Sequence, residues 1–427
     1  MTRRWLGLGS LLLLLALAGA WLLRSMEDTA QGSMNGVAAQ AAGDALQRGE
    51  YLARAGNCRH CHTQRGGASY AGGRALETPF GTVYSSNLTP DSGTGIGLWS
   101  AQDFWQALHQ GRSREGHWLL PAFPYGNFTF VSRADSDALY AFLRSVPAVL
   151  QANRSHALAW PFNSQWALGL WRGLFFRAQE FLPDASRSAD WNRGAYLVQG
   201  LGHCSACHAQ RNALGASGDA TALAGGMIAV QDWYAPSLAA RPVNGAPQRE
   251  TEETVQLLHS GISAHAAVSG PMADVVLHST QYLEPSDLQA MVRYLKDLPS
   301  GPDANLPVRN AEKPDPGANP AGARLYREHC AQCHGDEGQG VALAYPALAG
   351  SAAVNLASPV NLVQIVLNGG FAPATGANPR PFGMPPFALS LSDHEIAAVL
   401  SFVRTAWGNR AAEVTPHDVD RLRGHAR

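Results

Sequence analysis

The sequence predicts an all-α chain in which three small tandem helical domains follow an N-terminal hydrophobic helix, and three observations carry this. The pattern Cys-x-x-Cys-His occurs three times, at residues 58–62, 204–208 and 330–334. Each copy follows a similar Gly-led segment, and each is followed, after a long irregular stretch, by apolar residues at helical spacing. The chain also opens on an apolar run without charge.

That run is the first element. Arg3 and Arg4 precede residues 5–23, which hold no charged side chain before Arg24. About 19 residues is near the length that spans hydrocarbon. Residues 1–25 therefore read as a membrane anchor or a signal peptide. Ala18-Gly19-Ala20 resembles a cleavage site, but Trp21, Leu22 and Leu23 continue the run past it. Either reading exports the rest of the chain, and the basic start places it on the periplasmic side of the bacterial inner membrane.

The three domains are expected at residues 43–150, 190–299 and 321–408. Their lead-in segments begin at Gly49, Gly194 and Gly322 and run to Cys58, Cys204 and Cys330. In the third, Gly322 and Tyr326 share a helix face, so another helix can approach the glycine while the aromatic ring packs beside it. Closing helices are expected at residues 136–145, 285–298 and 392–407. The last of these opens Ser392-Asp-His-Glu395, a capping box. Pro147 and Pro299 end the first two. Residues 151–189 form an aromatic-rich connector, in which Trp160-Pro-Phe-Asn163 through Phe176 reads as a strap across the first two domains. Residues 300–320 read as a Pro-rich linker and residues 409–427 as a tail.

Composition narrows the chemistry. A net charge of -1 with 15% charged residues gives no electrostatic bias toward nucleic acid. All six cysteines fall inside the three motifs, so none is left for a structural disulfide. In c-type haem attachment two thiols add to the vinyl groups and the next residue, a His, binds iron; Cys-x-x-Cys-His supplies all three bonds. Zinc sites would need paired Cys-x-x-Cys arrays, and a redox dithiol a βαβ context. The expectation is three covalent haem c groups in three class I cytochrome c domains. Cys58, Cys61, Cys204, Cys207, Cys330 and Cys333 attach them, and His62, His208 and His334 are proximal iron ligands.

The sixth ligand should come from the loop before each closing helix. Met384, in Gly383-Met-Pro-Pro-Phe387, fits in the third domain and Met272, in Gly270-Pro-Met-Ala273, in the second. Met227 lies too early and Met291 within a closing helix. The first domain has no Met between Cys61 and Pro147, and Phe123 stands where one is expected. Its haem is five-coordinate or takes another ligand, with His117 and His109 as the loop imidazoles.

These residues resemble the multihaem cytochrome c subunits of membrane-associated bacterial dehydrogenases, those of alcohol, gluconate and aldehyde dehydrogenases and of molybdenum hydroxylases. The matching stretches are Asn87-Leu-Thr-Pro-Asp91, Gly95-Ile-Gly-Leu-Trp-Ser100, Pro121-Ala-Phe-Pro-Tyr125, Trp160-Pro-Phe-Asn163, Trp191-Asn-Arg-Gly-Ala-Tyr-Leu197, Gly202-His-Cys-Ser-Ala-Cys-His208 and Gly383-Met-Pro-Pro-Phe387. The resemblance implies a separate catalytic subunit that passes electrons through this chain to ubiquinone or a terminal oxidase. In the alcohol and sugar dehydrogenase members the first-domain loop looks like Pro-Ala-Met-Pro-Tyr, so Phe123 departs from that pattern. Pro-Ala-Phe-Pro-Tyr is more similar to the subunits that accompany molybdenum hydroxylases, which become the favoured partner over a quinoprotein or flavoprotein. The chain shows no dinucleotide-binding fingerprint and no nucleophile constellation, so no substrate-oxidising site of its own is expected. The rival reading is a haem enzyme or small-ligand binder with an open site at the first haem.

Overall fold

The computed structural model describes residues 42–217, 223–239, 247–299 and 319–425. The expected anchor at residues 1–25 and nearly all of the expected linker at residues 300–320 lie outside them. Among the described residues no helix is long and apolar enough to cross a membrane.

In the first repeat, α1 (Ala42–Ala55) leads into the one-turn α2 (Cys58–Cys61). The long loop then folds a ribbon of β1 (Ala75–Thr78) and β2 (Gly81–Tyr84), followed by α3 (Ala101–Gln110) and the short α4 (Tyr125–Phe128). The closing helix α5 (Arg133–Ser145) starts three residues before the expected Ser136, because Ser132 caps it by accepting from the Asp135 N–H. β3 (Ala157–Leu158) returns to pair with β2, and the connector forms α6 (Gln165–Phe175).

The second repeat runs α7 (Ala189–Gln199), α8 (Ser205–His208), a β4 (Gly226–Ile228) and β5 (Trp233–Ala235) ribbon, α9 (Pro247–Ser260), α10 (Pro271–His278) and the closing α11 (Pro285–Lys296). In the third, α12 (Pro320–His329) and α13 (Ala331–His334) precede α14 (Val360–Asn368), a β6 (Gly370–Phe371) and β7 (Gly383–Met384) ribbon, closing helix α15 (Asp393–Thr405) and α16 (Pro416–His425). The all-α expectation is thereby corrected: helices dominate, but each repeat carries a small antiparallel sheet. The loops after the motifs are long, and pairing short stretches such as Ala75–Thr78 with Gly81–Tyr84 satisfies backbone groups that would otherwise lack partners.

Each lead-in helix packs on its closing helix: α1 on α5, α7 on α11, α12 on α15. Glycine makes the crossing possible. A Cβ at Gly49, Gly194 or Gly322 would run into the carbonyl of Ala138, Ala290 or Ala398 on the opposing helix. Tyr326 packs beside the third crossing against Phe402 and Trp407, as its spacing from Gly322 implied. The expected capping box of Ser392 and Glu395 forms at α15.

The first two repeats are joined by a reciprocal exchange. Arg48 of α1 pairs with Asp135 of its own closing helix at 2.5 Å, and Arg193 of α7 with Asp287 of its own at 2.7 Å. The tyrosines three residues further on cross over. Tyr51 donates to Asp287 (2.5 Å) while accepting from the Glu284 N–H; Tyr196 donates to Asp135 (2.6 Å) while accepting from the Ser132 N–H. Each tyrosine therefore completes the N-terminus of the other repeat's closing helix, where backbone donors lack helical partners. Buried residues of both repeats, from Leu52 through Leu139 and Leu201 to Tyr294, form one continuous core.

The third repeat has a separate core around Leu325, Val363, Ile396 and Leu400. At the positions of the crossing Arg and Tyr it carries Ala321 and Arg324, so it cannot make the same exchange. It docks on β5 and the end of α9 in the second repeat instead, through reciprocal bonds of Asn361 with the Tyr234 backbone and the Thr375 hydroxyl on the Ser260 carbonyl.

Candidate haem sites

The chain enters each motif by a sharp turn off the lead-in helix. Asn57 and His203, immediately before Cys58 and Cys204, have φ of 52° and 38°, left-handed values that Asn and His tolerate better than most residues. One helical turn then sets the two cysteines and the following His on a single segment in all three motifs.

The histidines share one arrangement. Nδ1 of His62 lies 2.8 Å from the Ser86 carbonyl oxygen, Nδ1 of His208 2.6 Å from that of Pro236, and Nδ1 of His334 3.0 Å from that of Pro346. A carbonyl can only accept, so Nδ1 carries the proton in each ring and Nε2 presents its lone pair. That is the tautomer and orientation a metal-binding imidazole needs, fixed by a partner outside the metal's own ligands. Burial holds all three rings below the ordinary imidazole range, the carbonyl bond only partly offsetting it, which keeps them neutral.

The cysteines are unpaired and partly buried. Burial, with the charge of the second motif thiol, pushes the Cys58 and Cys204 thiols up to about 12 and the Cys330 thiol up to about 11. An activated redox dithiol is shifted the other way. Among the described residues no group of three or more His, Cys, Asp or Glu gathers as a metal cage. What the donors fit is a haem held by two thioethers with one imidazole beneath it.

The other expected ligands are placed as follows. Met384 lies in β7, paired with Gly370 and half-buried against the third core. Met272 is the second residue of α10, also half-buried. Met291 is 3% exposed in the core of α11, and Met227 lies largely exposed in β4. Phe123 packs against Phe128 at the edge of the first core. His117 is exposed on a turn where its N–H donates to Ser113, whereas His109 is buried in α3, its Nδ1 on the Thr129 carbonyl and its ring stacked on Trp105.

The first two motifs are neighbours. The Cys61 thiol is pushed up by burial, pulled down by Arg74, and pushed up by the charge of Cys207. His60 stacks on His278 at 4.5 Å, Phe128 meets His203 edge-on, and Asn127 donates to Ser205 inside the second motif at 2.8 Å. Sequence reasoning missed the three carbonyl partners of the histidines, and no signal could have found them, since a carbonyl belongs to every residue. Arg74, which donates to the His60 carbonyl, was missed as well. Arg172, the charged residue of the connector helix, was missed too. It is buried at 8% exposure, its guanidinium over the rings of Trp118, Phe176 and Tyr125 and donating to the Gln110 carbonyl.

Comparison with known proteins agrees with this geometry. The cytochrome c family profile matches residues 320–407. The chain is 40% identical to the cytochrome c subunit of the quinone alcohol dehydrogenase of Gluconacetobacter polyoxogenes, over 88% of this chain and 84% of that one. It is 39% identical to the gluconate 2-dehydrogenase cytochrome c subunit of Pantoea cypripedii, over 90% of each. With a nicotinate dehydrogenase subunit of Pseudomonas putida it shares 42% identity over 84% of this chain but 30% of that longer protein.

Proposed function

Because the chain belongs to the family of dehydrogenase cytochrome c subunits that includes those of quinone alcohol dehydrogenase and gluconate 2-dehydrogenase, we propose that it relays electrons from a separate catalytic subunit, through three covalent haems, to ubiquinone or a terminal oxidase. The observation that carries this is the repeated histidine geometry: three imidazoles after three Cys-x-x-Cys pairs, each with Nδ1 committed to a carbonyl and Nε2 left for iron. Haem iron supplies the one-electron chemistry, while the protein sets distance, burial and ligands. His62, His208 and His334 would each give a haem iron an imidazole nitrogen, and Met272 and Met384 would give the second and third sites a thioether sulfur, a ligand that favours the reduced iron.

The chain divides into cytochrome c units at residues 43–150, 190–299 and 321–408, on the periplasmic side of the membrane. The contacts between the first two repeats around these motifs, with the charge of Cys207 felt at Cys61, support fast exchange between those two sites, with the third joined through the second repeat. For the catalytic partner we favour a molybdenum hydroxylase over a quinoprotein or flavoprotein. Phe123 in Pro121-Ala-Phe-Pro-Tyr125 and the similarity to the nicotinate dehydrogenase subunit support it.

The test begins with the purified protein's mass and pyridine haemochrome, which should give three haems per chain. In the complex with its dehydrogenase, substrate should then reduce those haems and a quinone reoxidise them. Haems that stay oxidised while the partner turns over would overturn the relay. Phe123 also carries a second reading, since a phenyl ring cannot bind iron: the first site binds small ligands. Carbon monoxide added to the reduced protein should shift the spectrum of one haem in three. No shift would mean a protein side chain fills the position.

A further inference from the structure

The connector helix α6 is turned inside out for a helix in water. Its one charged side chain, Arg172, is buried beside Leu168, while Trp166, Leu170 and Leu174 stand 63%, 60% and 65% exposed. They are spaced four apart and so form a single outward stripe. Beside it runs an apolar groove of about 310 Å³, walled by Phe80, Leu120, Phe162 and Trp171 among others. Trp160, at the entry to the helix, is 78% exposed. Contiguous apolar surface of this kind marks a face that meets something other than water.

We propose that α6 is an interfacial membrane contact, lying in the plane of the bilayer with Trp166, Leu170 and Leu174 among the acyl chains. Two features of the chain select lipid. Residues 5–23 are long enough to span hydrocarbon, and the 18 or so residues from there to α1 reach at most about 60 Å, so a bilayer is the apolar phase brought within range of this face. The stripe itself has Trp and Leu and no titratable group, with Arg177 exposed just beyond the helix end, and Trp is a side chain that favours the membrane–water interface. The inference rests on reading residues 5–23 as a membrane segment.

Because all six native cysteines lie in the motifs, an introduced cysteine is the one thiol free for labelling. Leu170→Cys and Leu174→Cys, each nitroxide-labelled and with haem content checked against the parent, are reconstituted as the full haem-loaded chain in phospholipid vesicles, beside a control Glu413→Cys at an exposed position between α15 and α16. Labels at 170 and 174 should lose collisions with a water-soluble nickel chelate and keep those with oxygen, while the control keeps both. A chain retained by vesicles whose 170 and 174 labels meet nickel as freely as the control refutes the membrane contact and leaves the anchor standing. A chain that does not bind vesicles refutes both. Nickel exclusion that appears only after a dehydrogenase subunit is added makes the face a protein interface and overturns the proposal.

Discussion

Asp135 and Asp287 each collect an arginine from their own repeat and a tyrosine from the other, and the chemistry of that pair can be tested directly. Asp287→Asn removes a carboxylate that serves Arg193 and Tyr51 together; charge-assisted bonds contribute about 1.5 to 3 kcal/mol each, so a loss of a few kcal/mol in denaturant unfolding is expected. Burial raises the Asp287 carboxyl, but the bonds from Arg193 and Tyr51 outweigh it and the net shift is downward. A carboxyl depressed in the folded state stabilises the fold above its unfolded value near 4 and loses that contribution as pH falls through the folded value. Acid titration below about pH 4 should therefore loosen the wild type, and the Asn variant should respond less steeply there. At the first site, Phe123→Met should supply a sulfur ligand and raise one potential in a redox titration. Met384→Ala should lower another. An unchanged titration in either variant would remove that position from the iron. The motif histidines were legible because each follows a Cys-x-x-Cys at the same spacing. The carbonyls that orient the histidines were not, since Ser86, Pro236 and Pro346 contribute backbone alone.

Helix crossings set the next scale. Gly194→Val would push a branched side chain into the Ala290 carbonyl, and overpacking of this order costs about 1 to 3 kcal/mol. Calorimetry should show the loss, together with reduced haem incorporation at the second motif; a wild-type melting curve would mean α7 and α11 tolerate a wider separation. The close approach at Gly322 was readable from its spacing to Tyr326, and the structure extends it to Gly49 and Gly194. The repeated Arg-Gly-x-Tyr of Arg48 to Tyr51 and Arg193 to Tyr196 was equally visible, but its partners were not. Asp135 and Asp287 lie 61 residues before and 236 residues after the tyrosines they accept from, and no local pattern encodes such a pairing. The strap was legible as aromatic, and it does bridge both repeats, with Gln165 on Trp118 and the Trp171 N–H on the Leu214 carbonyl. Which of its faces turns outward depends on Arg172 finding Gln110 and the rings of Trp118 and Tyr125, all distant in sequence.

Among the described residues two cores stand where a tandem repeat suggests three, one shared by the first two repeats and one belonging to the third. Differential scanning calorimetry should resolve two transitions. Asp287→Asn should lower the one belonging to the paired repeats and leave the other in place; a single transition that moves as a unit would contradict this division. The shared core also orders assembly in time. A chain made from its N-terminus presents Asp135 long before Tyr196 exists, and Tyr51 must wait for Asp287, so the first repeat stays unfinished until almost three hundred residues have emerged. The third repeat, whose core is its own, carries no such dependence on residues of another repeat for its core.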